Sequence, residues 1–207
     1  MKIQGKNWRT IWPGADQKTV NIIDQTCLPH QLVVRQLHSM PDVAEAIKTM
    51  QVRGAPLIGA SAAYGMALAA NLLVDDAALQ AAGQLLIATR PTAVNLRWAV
   101  ERMLKVLSAL PLKDRAAAAW QEAANICDED VALNQAIGQH GFALIEAMHK
   151  SKKRPLNILT HCNAGWLATV DWGTALAPIY TAFDAGISPH VWVDETRPRN
   201  QGVSLAA

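Results

Sequence analysis

The chain has 207 residues, enough for one large domain or two small ones. Its 19 Lys and Arg against 17 Asp and Glu leave a formal charge of +2, which argues against a dedicated nucleic-acid surface or a basic membrane-binding face. Apolar residues make up 51 % and charged residues 17 %, so the chain is not disordered overall, and the abundance of alanine favours packed helices over an all-β sandwich.

Cys27, Cys127 and Cys162 are odd in number, far apart and in no CxxC pair. A disulfide framework or a thiolate zinc site is therefore disfavoured, and a reducing compartment fits better. The start, Met1-Lys2-Ile3-Gln4-Gly5, has no apolar stretch of a secretory signal, and the uncharged run from Ala55 to Asn71 is too short to span a bilayer. The chain reads as soluble and cytoplasmic.

In chain order, the first 38 residues are turn-rich. Val20 to Gln25 and Leu32 to Leu37 carry aliphatic and β-branched residues between Gly, Pro and Asp, which predicts a small antiparallel sheet or meander with Trp8 and Trp12 packed over it. From Ser39 the period becomes helical. Ser39 can cap, Pro41 suits a first turn, and Val43, Ile47 and Met50 share a stripe. A second helix is expected from Pro56 to about Ala70, apolar nearly all round and hence buried. A third follows the cap candidates Asp75 and Asp76, with Leu79, Ala82 and Leu86 aligned. A fourth begins near Thr92, carries Leu96, Val100, Met103 and Leu107, and stops before Pro111. Asp114 opens a further helical stretch that continues to about His149.

The run Lys150-Ser151-Lys152-Lys153-Arg154-Pro155 is the expected domain boundary, a solvated turn rather than an anion patch. After it, Leu156 to Thr160 reads as a strand, His161 to Gly173 as a loop and Thr174 to about Ala185 as a helix stopped by Gly186. His190 to Asp194 reads as a second strand. Strand, helix and strand form a βαβ unit with parallel strands. The fold class is thus α/β: a mainly helical domain with a small β meander (1–150), then the start of an incomplete Rossmann-like parallel-sheet domain (151–207). Ligands of such sheets bind beyond the carboxyl ends of the strands, which here means His161 to Gly165 and Glu195 to Arg199.

Four segments can carry chemistry. In Arg53-Gly54-Ala55-Pro56, the proline at a helix start leaves nearby amides free to meet an anion, and Arg53 adds a phosphate-shaped fork of donors. An ordinary turn with a surface arginine fits this segment too. Thr89-Arg90-Pro91-Thr92 places a second arginine before a helix, so two cations and two helix dipoles can converge on one phosphate. Cys162, at the mouth of the βαβ unit, is either a small buried apolar residue or a site-lining acid/base thiol. A zinc site with His161 lacks two further ligands, and a Cys–His pair is disfavoured because strand neighbours point to opposite faces; His161 is read as structural. In Asp194-Glu195-Thr196-Arg197, carboxylates can bond sugar hydroxyls, and a loop ion-pair network fits equally.

Together the stretches VRGAPLIGASAAYGMALAA, TRPTAVNLRWAVERML, ILTHCNAGWLATVDWGTALAPIYTAFDAGI and VWVDETRPRNQG resemble the methylthioribose-1-phosphate isomerases of methionine salvage. Their superfamily includes regulatory subunits of a translation-initiation guanine-exchange factor. The resemblance implies an aldose–ketose isomerisation of 5-methylthioribose 1-phosphate to 5-methylthioribulose 1-phosphate. It also implies that Arg53, Gly54 and Ala55 hold the phosphate with Arg90, that Gln201 contacts the substrate, and that Cys162 is the catalytic thiol. No metal or nicotinamide cofactor is implied. The partners implied are a sugar phosphate and a second copy in a homodimer, with no nucleic acid and no membrane.

Family members are longer, and their proton-donor carboxylate and an Asn-Lys pair lie beyond the position of Gln201. The tail from Gly202 to Ala207 is unlike their continuation, so a shortened chain with doubtful activity is expected. Asp171 and Asp194 match other family positions. Two parallel strands leave an unpaired edge, so a poorly stable second domain is expected as well. The alternatives are a regulatory subunit that senses a sugar phosphate or nucleotide without turning it over, and a ribose-1,5-bisphosphate isomerase. The pocket for the 5-substituent, with Trp8 and Trp12 as its aromatic candidates, decides between the two isomerases.

Overall fold

The computed structural model describes residues 1–3, 5–72, 75–152, 155–194 and 196. These form two compact units, residues 10–129 and residues 1–9 together with 130 onward. The chain opens with an antiparallel pair, β1 (Lys2–Ile3) and β2 (Lys6–Asn7), too short to leave a hydrophobic alternation in the sequence. Trp8 lies at the end of this hairpin, whereas Trp12 is itself part of the meander that follows.

In the unit of residues 10–129, β3 (Ile11–Pro13), β4 (Val20–Ile23) and β5 (Val34–Leu37) form the expected antiparallel meander with β4 central. Ile11 pairs with Ile22, and Val20 with Leu37; all four are buried. The chain leaves β4 through Asp24, a fully buried carboxylate. It accepts hydrogen bonds from the Thr26 amide at 2.9 Å and the Thr26 hydroxyl at 2.5 Å, and it pairs with Arg35 of β5. Burial alone would raise its pKa, but the hydrogen bonds from Thr26 and Arg35 outweigh it and hold the carboxyl below its ordinary value.

Helix α1 (Met40–Lys48) begins with a capping box: Ser39 Oγ accepts from the Asp42 amide at 3.3 Å, and the Asp42 carboxylate accepts from the Ser39 amide at 3.0 Å. Helix α2 (Ala55–Ala70) is buried at every residue from Leu57 to Ala70, and its mid-helix Ser61 hydroxyl donates to the Leu57 carbonyl at 2.8 Å. Helices α1, α3 (Asp76–Thr89) and α4 (Val94–Ser108) pack around it. Asp75 caps α3 by accepting from the Ala78 amide at 2.9 Å, as its spacing predicts. Large side chains such as Leu57, Met66, Leu86 and Leu96 are wholly buried here, each contributing about 1.5–3 kcal/mol.

Helix α5 (Leu112–Lys152) is continuous over 41 residues and passes from one unit to the other at Glu129 and Asp130. The basic run expected as a linker is therefore helical through Lys152. Lys150 and Lys152 sit on the carboxyl end of the dipole, and Lys150 pairs with Glu146 one turn back at 2.9 Å; Lys153 and Arg154 lie outside the described residues. In the second unit, β6 (Asn157–Thr160) and β7 (His190–Val193) are parallel, joined through a loop and α6 (Ala177–Asp184). Helix α6 starts three residues later than expected, with Pro178 in its first turn, and ends at Asp184, two residues before Gly186 with its φ of +84°. It lies close on α5, where Gly141 leaves room for the Pro178 ring. Leu159 and Trp192 on the strands are 67 % and 57 % exposed. Among the described residues no helix is long and apolar enough to cross a membrane.

The Asp24 geometry makes acid stability testable. A carboxyl whose folded pKa lies below its unfolded value stabilises the fold above that unfolded value, and the contribution is lost as pH falls through the folded pKa. Because Arg35 is half exposed, Asp24→Ala is expected to cost about 1–3 kcal/mol at pH 7, the range for buried hydrogen-bonding groups. In urea unfolding the gap between the two proteins should close below pH 3.8, the ordinary value for the group; a gap independent of pH would contradict this.

Candidate functional site

Arg53 lies half buried just before α2. Its Nη2 donates to the Gln25 carbonyl at 3.2 Å, while its Nε is buried without a hydrogen-bond partner. Burial lowers the pKa of the guanidinium from its ordinary value, meaning that the cation is held in poorly solvated surroundings. A desolvated guanidinium with an unspent donor favours an approaching anion. Gly54 follows as the N-cap at φ +98°, a backbone angle at which a side chain would be strained. No side chain caps α2; the Ile58 amide makes a helical bond to the Gly54 carbonyl at 2.9 Å, and Pro56 in the first turn has no N–H. The first-turn amides of this buried helix thus open only at the Gly54–Ala55 end, where Ala55 is exposed.

Arg90 terminates α3, half buried, and its carbonyl accepts from the Ala93 amide at 2.9 Å to close the turn into α4. Helix α4 also starts without a side-chain cap. Gly59 of α2 approaches the Asn95 backbone of α4 so closely that an added Cβ would lie 3.0 Å from the Asn95 carbonyl oxygen. Farther along, Met66 of α2 and Val100 of α4 both border Gly83 of α3. With Gly59 against Asn95, and Met66 and Val100 flanking the same residue of α3, α2 and α4 run side by side in the same direction. Their positive ends, with Arg53 and Arg90, share one end of the unit. Arg53, Gly54 and Ala55 adjoin in sequence at the start of α2, and Arg90 lies in the turn that leads into α4.

Cys162 belongs to the other unit. It follows β6 by two residues, is exposed, and adopts φ +71°. The loop beyond it is closed on itself. Ala164 accepts from the amides of Thr174 and Leu176 at 3.1 and 3.4 Å, and Gly173 at φ +77° leaves no space for a Cβ against Gly165. Asp130 of α5 pins the loop by accepting from the Val170 amide at 2.8 Å, and its burial pushes its pKa up. The side-chain oxygen of Asn163 is buried without a partner.

Across the strand ends, His161 Nδ1 lies 3.4 Å from Asp194 Oδ2. Sequence reasoning placed both residues at the carboxyl ends of the strands without pairing them; the parallel register, Thr160 beside Val193, is the signal that does so. Strand alternation does not separate His161 from Cys162, because β6 ends at Thr160 and the left-handed Cys162 lies beyond it. Gln201, Glu195, Arg197 and Arg199 lie outside the described residues. A cavity of about 630 Å³ in the same unit is walled by Trp8, Trp172, Tyr180 and Phe183; of the residues singled out from the sequence it takes in Trp8 and Asp171 but not Cys162.

Comparison with known proteins adds to this geometry. Residues 51–207 match the model of the Initiation factor 2 subunit family. A protein of Paramagnetospirillum magneticum named methylthioribose-1-phosphate isomerase is 65 % identical over 207 residues, all of this chain and 57 % of its own length. One of the same name from Rhodospirillum rubrum is 59 % identical over 213 residues, all of this chain and 55 % of its own length. The chain thus spans little more than half the length of the curated relatives it matches. Among solved structures, 5-methylthioribose 1-phosphate isomerase from Pyrococcus horikoshii superposes with a TM-score of 0.84 at 40 % identity, over 98 % of this chain and 56 % of that one. Translation initiation factor eIF-2B, subunit delta, from A. fulgidus gives a TM-score of 0.82 at 37 % identity, over 97 % and 58 %.

The anion-facing end of α2 predicts a binding response. Inorganic phosphate at about a hundredfold over its Kd should stabilise the chain by about 2.7 kcal/mol. Arg53→Met should abolish most of that gain in thermal melts; it removes a poorly solvated charge and also the bond to the Gln25 carbonyl, so each protein's response is read against its own phosphate-free melt. An equal phosphate response in both proteins would rule the cradle out.

Proposed function

The chain belongs to the Initiation factor 2 subunit family, and on that premise we propose that it holds the phosphate and supplies the thiol of an aldose–ketose isomerase acting on 5-methylthioribose 1-phosphate. The observation that carries this reading is the 65 % identity, along the whole chain, to a protein named for that activity. Phosphate on the anomeric oxygen prevents the ring from opening as a free hemiacetal. The enzyme must open it and move hydrogen from C2 to C1 without losing the phosphate. The Gly54–Ala55 amides with Arg53 and Arg90 suit the first need, because fixed donors hold a dianion in place while the ring opens. Cys162, exposed at the carboxyl end of a parallel strand, suits the second as proton acceptor or as support for the transition state. Gln201 completes the proposed substrate contacts.

The same reading makes the working protein a cytoplasmic homodimer with a sugar phosphate as its small-molecule partner. Three free and widely separated cysteines support the reducing compartment. A second reading, a subunit that senses a sugar phosphate or nucleotide without turning it over, draws support from the likeness to the eIF-2B delta subunit of A. fulgidus.

Ketose formation from 5-methylthioribose 1-phosphate tests both. The assay compares the 207-residue chain, a form extended at its carboxyl end to the relatives' length, and Cys162→Ala in that form. The extended protein is expected to turn over, and Cys162→Ala to lose roughly 10²–10⁴-fold in kcat, the range for a positioned acid or base. An extended protein that binds the sugar phosphate but forms no ketose would favour the sensing subunit.

A further inference from the structure

The isomerase reading leaves two polar groups at the carboxyl ends of β6 and β7 without a role. The ladder pairs Thr160 with Val193, and the Asp194 amide donates to the Thr160 carbonyl at 3.0 Å. One step farther along the same register, His161 and Asp194 stand side by side, with Nδ1 3.4 Å from Oδ2, a polar contact just beyond hydrogen-bond length. The next residue is Cys162 at φ +71°. A residue with a Cβ persists in that conformation only where the chain on both sides is held. On the carboxyl side the hold is evident: Ala164 accepts two amide hydrogen bonds, and Gly165 is packed against Gly173. On the amino side the first contact available is His161 with Asp194.

We propose that His161 and Asp194 form a clasp across the strand ends that holds Cys162 in its left-handed conformation with the thiol turned outward. Both are positioning residues for the thiol of the proposed isomerase site, and in that sense the inference rests on the isomerase reading. The clasp is a poor stabiliser of the fold, since its side chains are 67 % and 48 % exposed and exposed pairs contribute little. Its effect is local, on the geometry of the residue that follows. The contact is made through Nδ1, on the near side of the imidazole ring. An asparagine amide presents its N–H at nearly that position, whereas a glutamine amide reaches beyond it.

The test reads the thiol directly and needs no substrate. The rate of carboxamidomethylation of Cys162 by iodoacetamide is followed by peptide mass, which separates it from Cys27 and Cys127, in the full chain and in H161A, H161Q, H161N, D194A and H161A/D194A. Far-UV circular dichroism and melting confirm that each variant folds. The expected result is a rate altered roughly threefold or more in H161A, H161Q and D194A, with no further change in the double variant and recovery in H161N. Wild-type rates in the single alanine variants, effects that multiply in the double variant, or failure of H161N to recover would each overturn the clasp. Since the readout is alkylation, a lack of ketose formation leaves this result unaffected, and the two readings fail separately.

Discussion

A helix with no polar face cannot rest against water on any side, and α2 is such a helix. From Leu57 to Ala70 it is wholly enclosed, so α1, α3 and α4 must wrap it, and the meander with its buried Val20, Ile22 and Ile23 belongs to the same unit. Enclosure leaves the helix termini as the places where its backbone dipole can meet anything polar. At the amino terminus Gly54 supplies no side-chain cap, and Arg53 before it is only partly satisfied. The anion-seeking character of that end follows directly from the apolar character of the rest. A Ser or Asp in place of Gly54 would cap the helix with its own oxygen and remove the vacant donors, besides straining the backbone at φ +98°.

The placement of α4 beside α2 depends on how closely the helices approach. Glycine inside a helix costs about 0.5–1 kcal/mol relative to alanine. Gly59, Gly65 and Gly83 all sit in helix interiors, and at each an added Cβ would press on the neighbouring helix. Gly59 meets backbone rather than a movable side chain, so even alanine there forces α4 away from α2. The conformational cost is offset by contact that brings the starts of α2 and α4, and the turn carrying Arg90, to one end.

These features were legible because local chemistry determines them. The Ser39 and Asp75 caps, the all-apolar run after Pro56 and the arginines ahead of two helix starts are each contained within a few residues. What escaped reading depends on distant partners. The bond from Arg53 to the Gln25 carbonyl joins positions 28 residues apart, and nothing near either residue announces it. The two-residue strands Lys2–Ile3 and Lys6–Asn7 are too short for periodicity to register. Lys150 to Lys152 looked like a linker because basic runs are usually solvated, yet cations are equally at home on the last turn of a helix. The expected division near residue 150 followed composition, whereas the compact units divide at Glu129 and Asp130, inside one continuous helix where composition does not change.

The loop after β6 shows why strand logic must stop where the strand stops. While a chain is extended, neighbours alternate between faces, and His161 and Cys162 would be kept apart. Here the last paired residue is Thr160, and the left-handed turn at Cys162 ends the alternation. The direction of the thiol is then set by whatever fixes the backbone on either side of it. On one side that is a glycine-packed loop held by Asp130 and Thr169, and on the other the next rung of a parallel ladder. A parallel register is the one arrangement that sets the residues following two strands side by side at the same end. The histidine and the carboxylate therefore meet there for topological reasons, one residue before Cys162 in the chain, although 33 positions separate His161 from Asp194.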